Sequence, residues 1–331
     1  MLTSPTGTGR RRAIRAVAAA VVALALLLWW LLPGGGTRPR GKVTFATGVG
    51  HGVYAKYGEL LEGGISEDFP GLDVRLVSSE GSVDNVQKVA GGRADFAIAA
   101  ADAVAQYQAD EEPGYGDLRA LARLYDDYIQ LVVPAGSDIH RAQDLAGKRV
   151  GVGQDKSGVQ LIARRLLQAA ELDMNRDLDA VRVPIGTMTE QLQERRLDAF
   201  FWSGGLPTAA VTELGNRTRI RFVPLNNLLG PLHKQSESAH YYRSAVMPAD
   251  AYPALRNAKA VSTIAVANLL ITTAGADSDI TEAITREVIG QRDEIARRVH
   301  AAQLVDQRTA VFTDPLELHE GAQRYYRDEK P

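Results

Sequence analysis

Gly41-Lys-Val-Thr-Phe-Ala-Thr-Gly48 and Gly147-Lys-Arg-Val-Gly-Val-Gly153 open two stretches of this chain that run in the same order. Each starts as a short apolar strand, enters a loop and continues as a helix, to Leu61 in the first and to Ala170 in the second. The second strand is Asp73–Val77 in one and Ala180–Val183 in the other. A loop and helix follow, Ser82–Ala90 and Thr189–Arg196, and the closing strands are Arg93–Ile98 and Arg196–Phe201. Val83, Val86, Val89 and Ala90 share one helical face, as do Leu161, Ile162, Leu166 and Ala169. Ser82 suits an N-cap and Gly91-Gly92 a helix stop. Two β-α-β-α-β units predict an α/β protein of two lobes, with two mostly parallel sheets and right-handed crossovers.

In open parallel sheets the ligand crevice lies beyond the carboxyl ends of the strands. That rule selects four loops, 47–54, 79–85, 154–160 and 202–208. The candidate contacts are Thr47, Gly48, Gly50, His51, Gly52, Val53 and Tyr54 in the first, and Gly81, Ser82 and Asn85 in the second. Lys156, Ser157 and Gly158 come from the third, and Trp202, Ser203, Gly204, Gly205 and Pro207 from the fourth. Asp102 follows just past a strand end. The first loop of each unit feeds a helix N-terminus, where free N–H groups and the dipole favour an anion. Several of these residues have structural alternatives. Tyr54 can pack a wall, Ser82 and Asn85 can cap or turn, Asp102 can brace a turn or hinge, and Lys156 can be a solvated loop lysine.

Catalytic and cofactor signatures are not found. Gly48, Gly50 and Gly52 are too closely spaced for a dinucleotide fingerprint, and no Walker loop is present. Neither Ser157 nor Ser203 stands in a Gly-x-Ser-x-Gly elbow. His51 and the scattered His140, His233, His240, His300 and His319 lack metal-ligand spacing. With no cysteine, disulfides, thiol catalysis and a lipidated N-terminal Cys are excluded. The expectation is a binding protein without cofactor, metal or catalysis.

The net charge of −2 hides an asymmetry. Arg10, Arg11, Arg12, Arg15, Arg38, Arg40 and Lys42 crowd the N-terminus without an acidic residue, leaving 31 basic against 40 acidic residues beyond it. An acidic body argues against nucleic-acid binding. Ala16–Leu32 is an unbroken apolar run that a helix would stretch over about 26 Å. Leu32-Pro33-Gly34 is a poor cleavage site and Trp29-Trp30 suits a membrane interface, so an uncleaved signal anchor is favoured over a cleaved signal peptide. The basic segment 1–15 then stays in the cytoplasm, 33–42 is a linker, and the body lies outside the cytoplasm, secreted if the leader is cut.

Five stretches carry a family resemblance: Thr47-Gly-Val-Gly-His-Gly-Val-Tyr54, Glu80-Gly-Ser-Val-Asp-Asn85, Ala94-Asp-Phe-Ala-Ile98 with Asp102, Lys148-Arg-Val-Gly-Val-Gly153 with Ser157-Gly158, and Asp198-Ala-Phe-Phe-Trp-Ser-Gly-Gly-Leu-Pro207. With the tail Leu318–Tyr326, they resemble the TAXI branch of solute receptors for tripartite ATP-independent periplasmic (TRAP) transporters. The resemblance implies a type II periplasmic-binding-protein fold closing on a small carboxylate, such as an amino acid or dicarboxylate, and a membrane permease as partner. This chain departs from the family at Ala100-Ala101, where a polar Gln-Ser is common, at Ala55 in place of a second Tyr, and at Lys156-Ser157-Gly158-Val159. Those departures imply a ligand other than the family's usual one.

Ile129–Pro134 and about Ser262–Thr272 are apolar and strand-like, as connections between lobes should be. They predict a first lobe of 43–133 with 263–331, completed by C-terminal helices, and a second lobe of 134–262. The alternatives to a transport receptor are a membrane-anchored sensor of the same ligand and, further off, an enzyme on the same fold.

Overall fold

The computed structural model describes residues 39–50, 52–253, 255 and 259–329, with Val17, Val21 and Val22. Apart from those valines, the expected basic segment 1–15 and apolar span 16–32 lie outside the described residues, as do 33–38 of the linker and His51. Among the described residues no helix is long and apolar enough to cross a membrane.

Both units of the repeat form. The first is β1 (Gly41–Gly48), α1 (Val53–Asp68), β2 (Leu72–Ser78), α2 (Ser82–Ala90) and β3 (Phe96–Ala100), followed by α3 (Ala101–Ala109). After the long strand β4 (Leu118–Pro134) comes the second: β5 (Arg149–Gly151), α4 (Gly158–Ala169), β6 (Asp179–Val181), α5 (Ile185–Gln193) and β7 (Ala199–Gly204). In each, the opening strand lies between the other two in parallel pairing, β2-β1-β3 and β6-β5-β7. The helix read at Thr189–Arg196 begins earlier, at Ile185, because Pro184 occupies the N-cap. Ser82 is not an N-cap either; Gly81 takes that place at φ +122°, and no side chain caps the helix.

The remaining elements are α6 (Ala209–Arg217), β8 (Ile220–Val223), α7 (Leu229–His233), β9 (Tyr242–Met247), β10 (Val261–Thr273), α8 (Ser278–Gly290), α9 (Arg292–Ala296) and α10 (Glu320–Asp328). Here the expectation of two mostly parallel sheets is corrected. All strands join one hydrogen-bonded sheet in the order β2-β1-β3-β10-β4-β7-β5-β6, with β8 on β4 and β9 on β10. Among the described residues, every pairing of β4 or β10 with another of these strands is antiparallel, and an isolated parallel bridge joins Ala120 to Leu318. The cause is length. At about 3.3 Å per residue, the 17 residues of β4 extend far enough to serve both units, pairing with β10 along one part and with β7 and β8 along the other. The expected crossovers, 129–134 and 262–272, are portions of these two strands.

Two apolar clusters flank the sheet. One holds Phe45, Tyr57, Leu61, Phe96, Leu121 and Tyr125 with Ile284, Val288 and Tyr326 from the C-terminal helices. The other holds Val150, Ile162, Leu166, Phe200 and Phe201 and continues through Ile129 and Val132 to Val86 and Val104. The C-terminal segment is stitched to β4: Ala120 donates to Glu317, His319 donates back to Ala120, and the Tyr326 hydroxyl donates to the Leu121 carbonyl at 3.1 Å. Helix α10 approaches α8 so closely at Gly321 that a Cβ there would overlap Thr281 Oγ1 and the Ser278 carbonyl. Gly321→Ala is therefore expected to cost at least about 2 kcal/mol of unfolding free energy through overpacking against backbone. Urea denaturation monitored by circular dichroism measures it; an unchanged midpoint would contradict this packing.

Candidate functional site

Where the two units meet, the strand ends of β1, β3 and β7 and the N-termini of α1, α2, α3 and α4 surround a cavity of about 60 Å³. That volume holds on the order of four to six water-sized groups. The first unit contributes Thr47, Gly48, Gly52, Val53 and Tyr54, then Gly81 and Ser82, then Asp102. The second contributes Ser157, Gly158, Trp202, Ser203 and Gly204. Residues drawn from four separate loops thus share one concavity.

Several expected residues face elsewhere. Asn85 is fully buried behind the wall, donating from Nδ2 to the Ile98 carbonyl at 2.7 Å and accepting from the Ser79 hydroxyl, so it holds the turn. Lys156 is exposed at φ +63°, a left-handed conformation that turns its side chain to solvent; only its carbonyl takes part, accepting from Asp84 N at 3.1 Å. Gly50 lies in an adjoining open groove with Glu80 and Pro184. Gly205 packs toward Ala301 and Tyr125, and Pro207 is exposed after a cis peptide bond.

The cavity walls also include Val49, Glu80, Gln154 and Val159 from the selected loops and, outside those loops, Ala100, Ile162, Val266 and, most consequentially, Asp127. Asp127 lies in β4 opposite Val266, one residue before β4 begins pairing with β7 at Tyr128 and Gly204. It therefore sits at the junction of the two units. Its Oδ1 accepts from Asn268 Nδ2 at 2.8 Å, and its Oδ2 receives only a long contact, 3.4 Å, from the Ser203 hydroxyl. The Tyr54 hydroxyl donates to Asn268 Oδ1 and meets Ser82 Oγ at 3.0 Å, and Ser82 Oγ accepts from Ala100 N. One chain of hydrogen bonds thus crosses the cavity floor from α2 to β7. Burial pushes the Asp127 carboxyl up to about 7; its two hydrogen bonds oppose the shift and the charge of Asp102 adds to it.

Asp102, in the first turn of α3, is also buried, and its carboxyl is raised by desolvation against the pull of Arg165 and of the Tyr242 hydroxyl bond. Arg165 reaches from α4 to within 3.7 Å of Asp102, donating also to Gln106 Oε1, to Ser238 Oγ at 2.7 Å and to Tyr242 Oη at 3.2 Å. A buried guanidinium so fully engaged fixes α4 against α3. The loops close the contact from the other side. Gln154 Nε2 donates to the Glu80 carbonyl at 3.0 Å, and at Gly81 a Cβ would lie only 3.4 Å from Ser157 Cα. Ser157 caps α4 by accepting from Gln160 N at 3.0 Å. The N-termini of α2 and α4 therefore meet nose to nose at the cavity.

The fold has parallels among solved structures. The chain is similar to a protein from Bordetella bronchiseptica RB50 (TM-score 0.52, 18% identity, covering 88% of this chain and 90% of that one). It is similar to an ancestral arginine-binding protein bound to arginine (0.50, 14%, 78% and 98%) and to a periplasmic transporter (0.50, 13%, 87% and 92%). Likeness at such identity shows the fold, the α/β fold of the periplasmic binding proteins. The match to the NMT1-like family model runs over residues 45–329, nearly all of the described part, and the chain belongs to that family.

Proposed function

We propose that this chain is an extracytoplasmic solute-binding receptor that captures a small carboxylate-bearing ligand, performs no chemistry on it and delivers it to a TRAP-type permease. The lobes are 43–133 with 263–331, and 134–262; β4 and β10 are the hinge strands, and residues 16–32 form the membrane anchor. The observation that carries this reading is a small cavity walled by both units and shut by direct hydrogen bonds between their loops. Its volume is far below the roughly 300–1,000 Å³ of pockets for drug-sized ligands, which argues against nucleotides and other bulky cofactors. The N-termini of α2 and α4 both border the cavity, and their like dipole ends favour a carboxylate there. The motif resemblance supports the TRAP type.

A thermal-shift panel of small carboxylates and amino acids on the purified protein tests the receptor reading. A binder present at a hundred times its Kd should stabilise the fold by about 2.7 kcal/mol, and a panel with no effect would count against the assignment. Gly158→Ala tests closure. A Cβ at Gly158 would come to 3.0 Å from Ser82 Oγ, across the two units, so if closure brings them together the variant should bind more weakly, by about 1–3 kcal/mol in calorimetry. Arg165→Met should lower the unfolding free energy at pH 7 by about 3–5 kcal/mol, because it strands the buried Asp102 carboxylate. Since burial already raises Asp102, acidification neutralises it and the deficit should shrink by pH 4.

A further inference from the structure

We infer that the captured solute carries a positively charged amine, received by Asp102 and Asp127 on one wall of the cavity, an inference that rests on the receptor assignment above. Both carboxylates line the cavity and are buried, at 2% and 4% exposure. Asp102 Oδ1 has no hydrogen-bond partner although it is shut away from solvent. The other Asp102 oxygen takes the Tyr242 hydroxyl and faces Arg165. Asp127 Oδ2 has only the long contact with Ser203. Arg165 pairs with Asp102 and not with Asp127, and no Lys, Arg or His is among the cavity walls in the described residues.

Buried carboxylates demand hydrogen bonds and a counter-charge. An ammonium group supplies both, with three donors and one positive charge. A ligand bearing only a carboxylate would meet repulsion on this wall. The same pairing gives the cavity a polarity: helix N-termini for the anionic end and the acid pair for the cationic end. An inorganic cation fits less well, since no group of three or more His, Asp or Glu side chains gathers among the described residues. Burial pushes the Asp127 carboxyl up to about 7, which marks its charge as costly on this wall until a cation accompanies it. The other charged or titratable groups around it are Asp102 with Arg165, and Tyr54 and Tyr125, both raised by burial and therefore neutral. Asp126 points to the opposite strand face, paired with Arg123 and Arg243.

The test is calorimetry on the full chain at pH 8 with matched pairs that differ only in the amine: glycine against glycolate, and β-alanine against 3-hydroxypropionate, with ethanolamine, NaCl and CaCl₂ as further arms. Binding should favour an amine-bearing member at least tenfold over its hydroxy analogue. Asp127→Asn should lose at least tenfold of that affinity while melting no lower than the parent at pH 8, because a buried charge has been removed. Asp127→Ser gives the same readout should the Asn variant fold poorly. Equal binding of the hydroxy acids, or unchanged affinity in either variant, would overturn the amine site and leave the receptor assignment standing. Stabilisation by NaCl or CaCl₂ alone, lost in Asp127→Asn, would replace the amine with an inorganic cation. Silence across every arm would remove both assignments.

Discussion

The antiparallel pairing of β4 with β10 is the constraint on which the rest of the structure depends. It runs from Leu118 and Thr273 to Tyr128 and Ala265, through the centre of the sheet. Each strand then continues to new partners, β4 to β7 and β8, and β10 to β9. Because backbone hydrogen bonds cannot be left unmet inside a protein, two repeated units sharing these strands are obliged to fold as one sheet. The carboxyl ends of their parallel strands are thereby brought to the same place. The cavity is the space left at that junction.

That geometry explains why polar residues are tolerated so deep. Asp127 and Asn268 sit on the two shared strands and satisfy each other, while Tyr54 and Ser82 extend the chain of bonds into the first unit. A polar network of this kind rigidifies when its members are satisfied. Asp102 Oδ1, outside this network, is without a partner, as are Tyr57 Oη, Tyr125 Oη and Gln130 Nε2 elsewhere in the interior.

Much of the fold was legible in the sequence because its signals are local. Helix Ser82–Ala90 was found at both ends, from its 3.6-residue period and the Gly91-Gly92 stop. The repeat order of strands and helices follows from the same short-range patterns. The merger of two sheets was not legible, since nothing in the pattern of Leu118–Pro134 announces two sets of partners along one strand. Asp127 was missed for a related reason. The signal was present, as adjacent acids in the middle of that apolar strand, but strand alternation sends one to solvent-side arginines and the other to the cavity, and which is which depends on the neighbouring strands. Asn85 and Lys156 take the structural alternatives read for them, because loop membership does not fix side-chain direction. A left-handed φ at Lys156 and a buried amide at Asn85 are tertiary outcomes.

The engagement of Arg165 has an evolutionary consequence. One planar guanidinium binds groups at positions 102, 106, 238 and 242, on segments far apart in the chain. A lysine offers a point charge and cannot reproduce that fork, so no single conservative exchange is neutral there. Residues joined in such a network have strongly non-additive mutational effects. Drift at any of these positions must therefore wait on compensating changes at the others, and the cluster will tend to be inherited as a block while the surrounding surface diversifies.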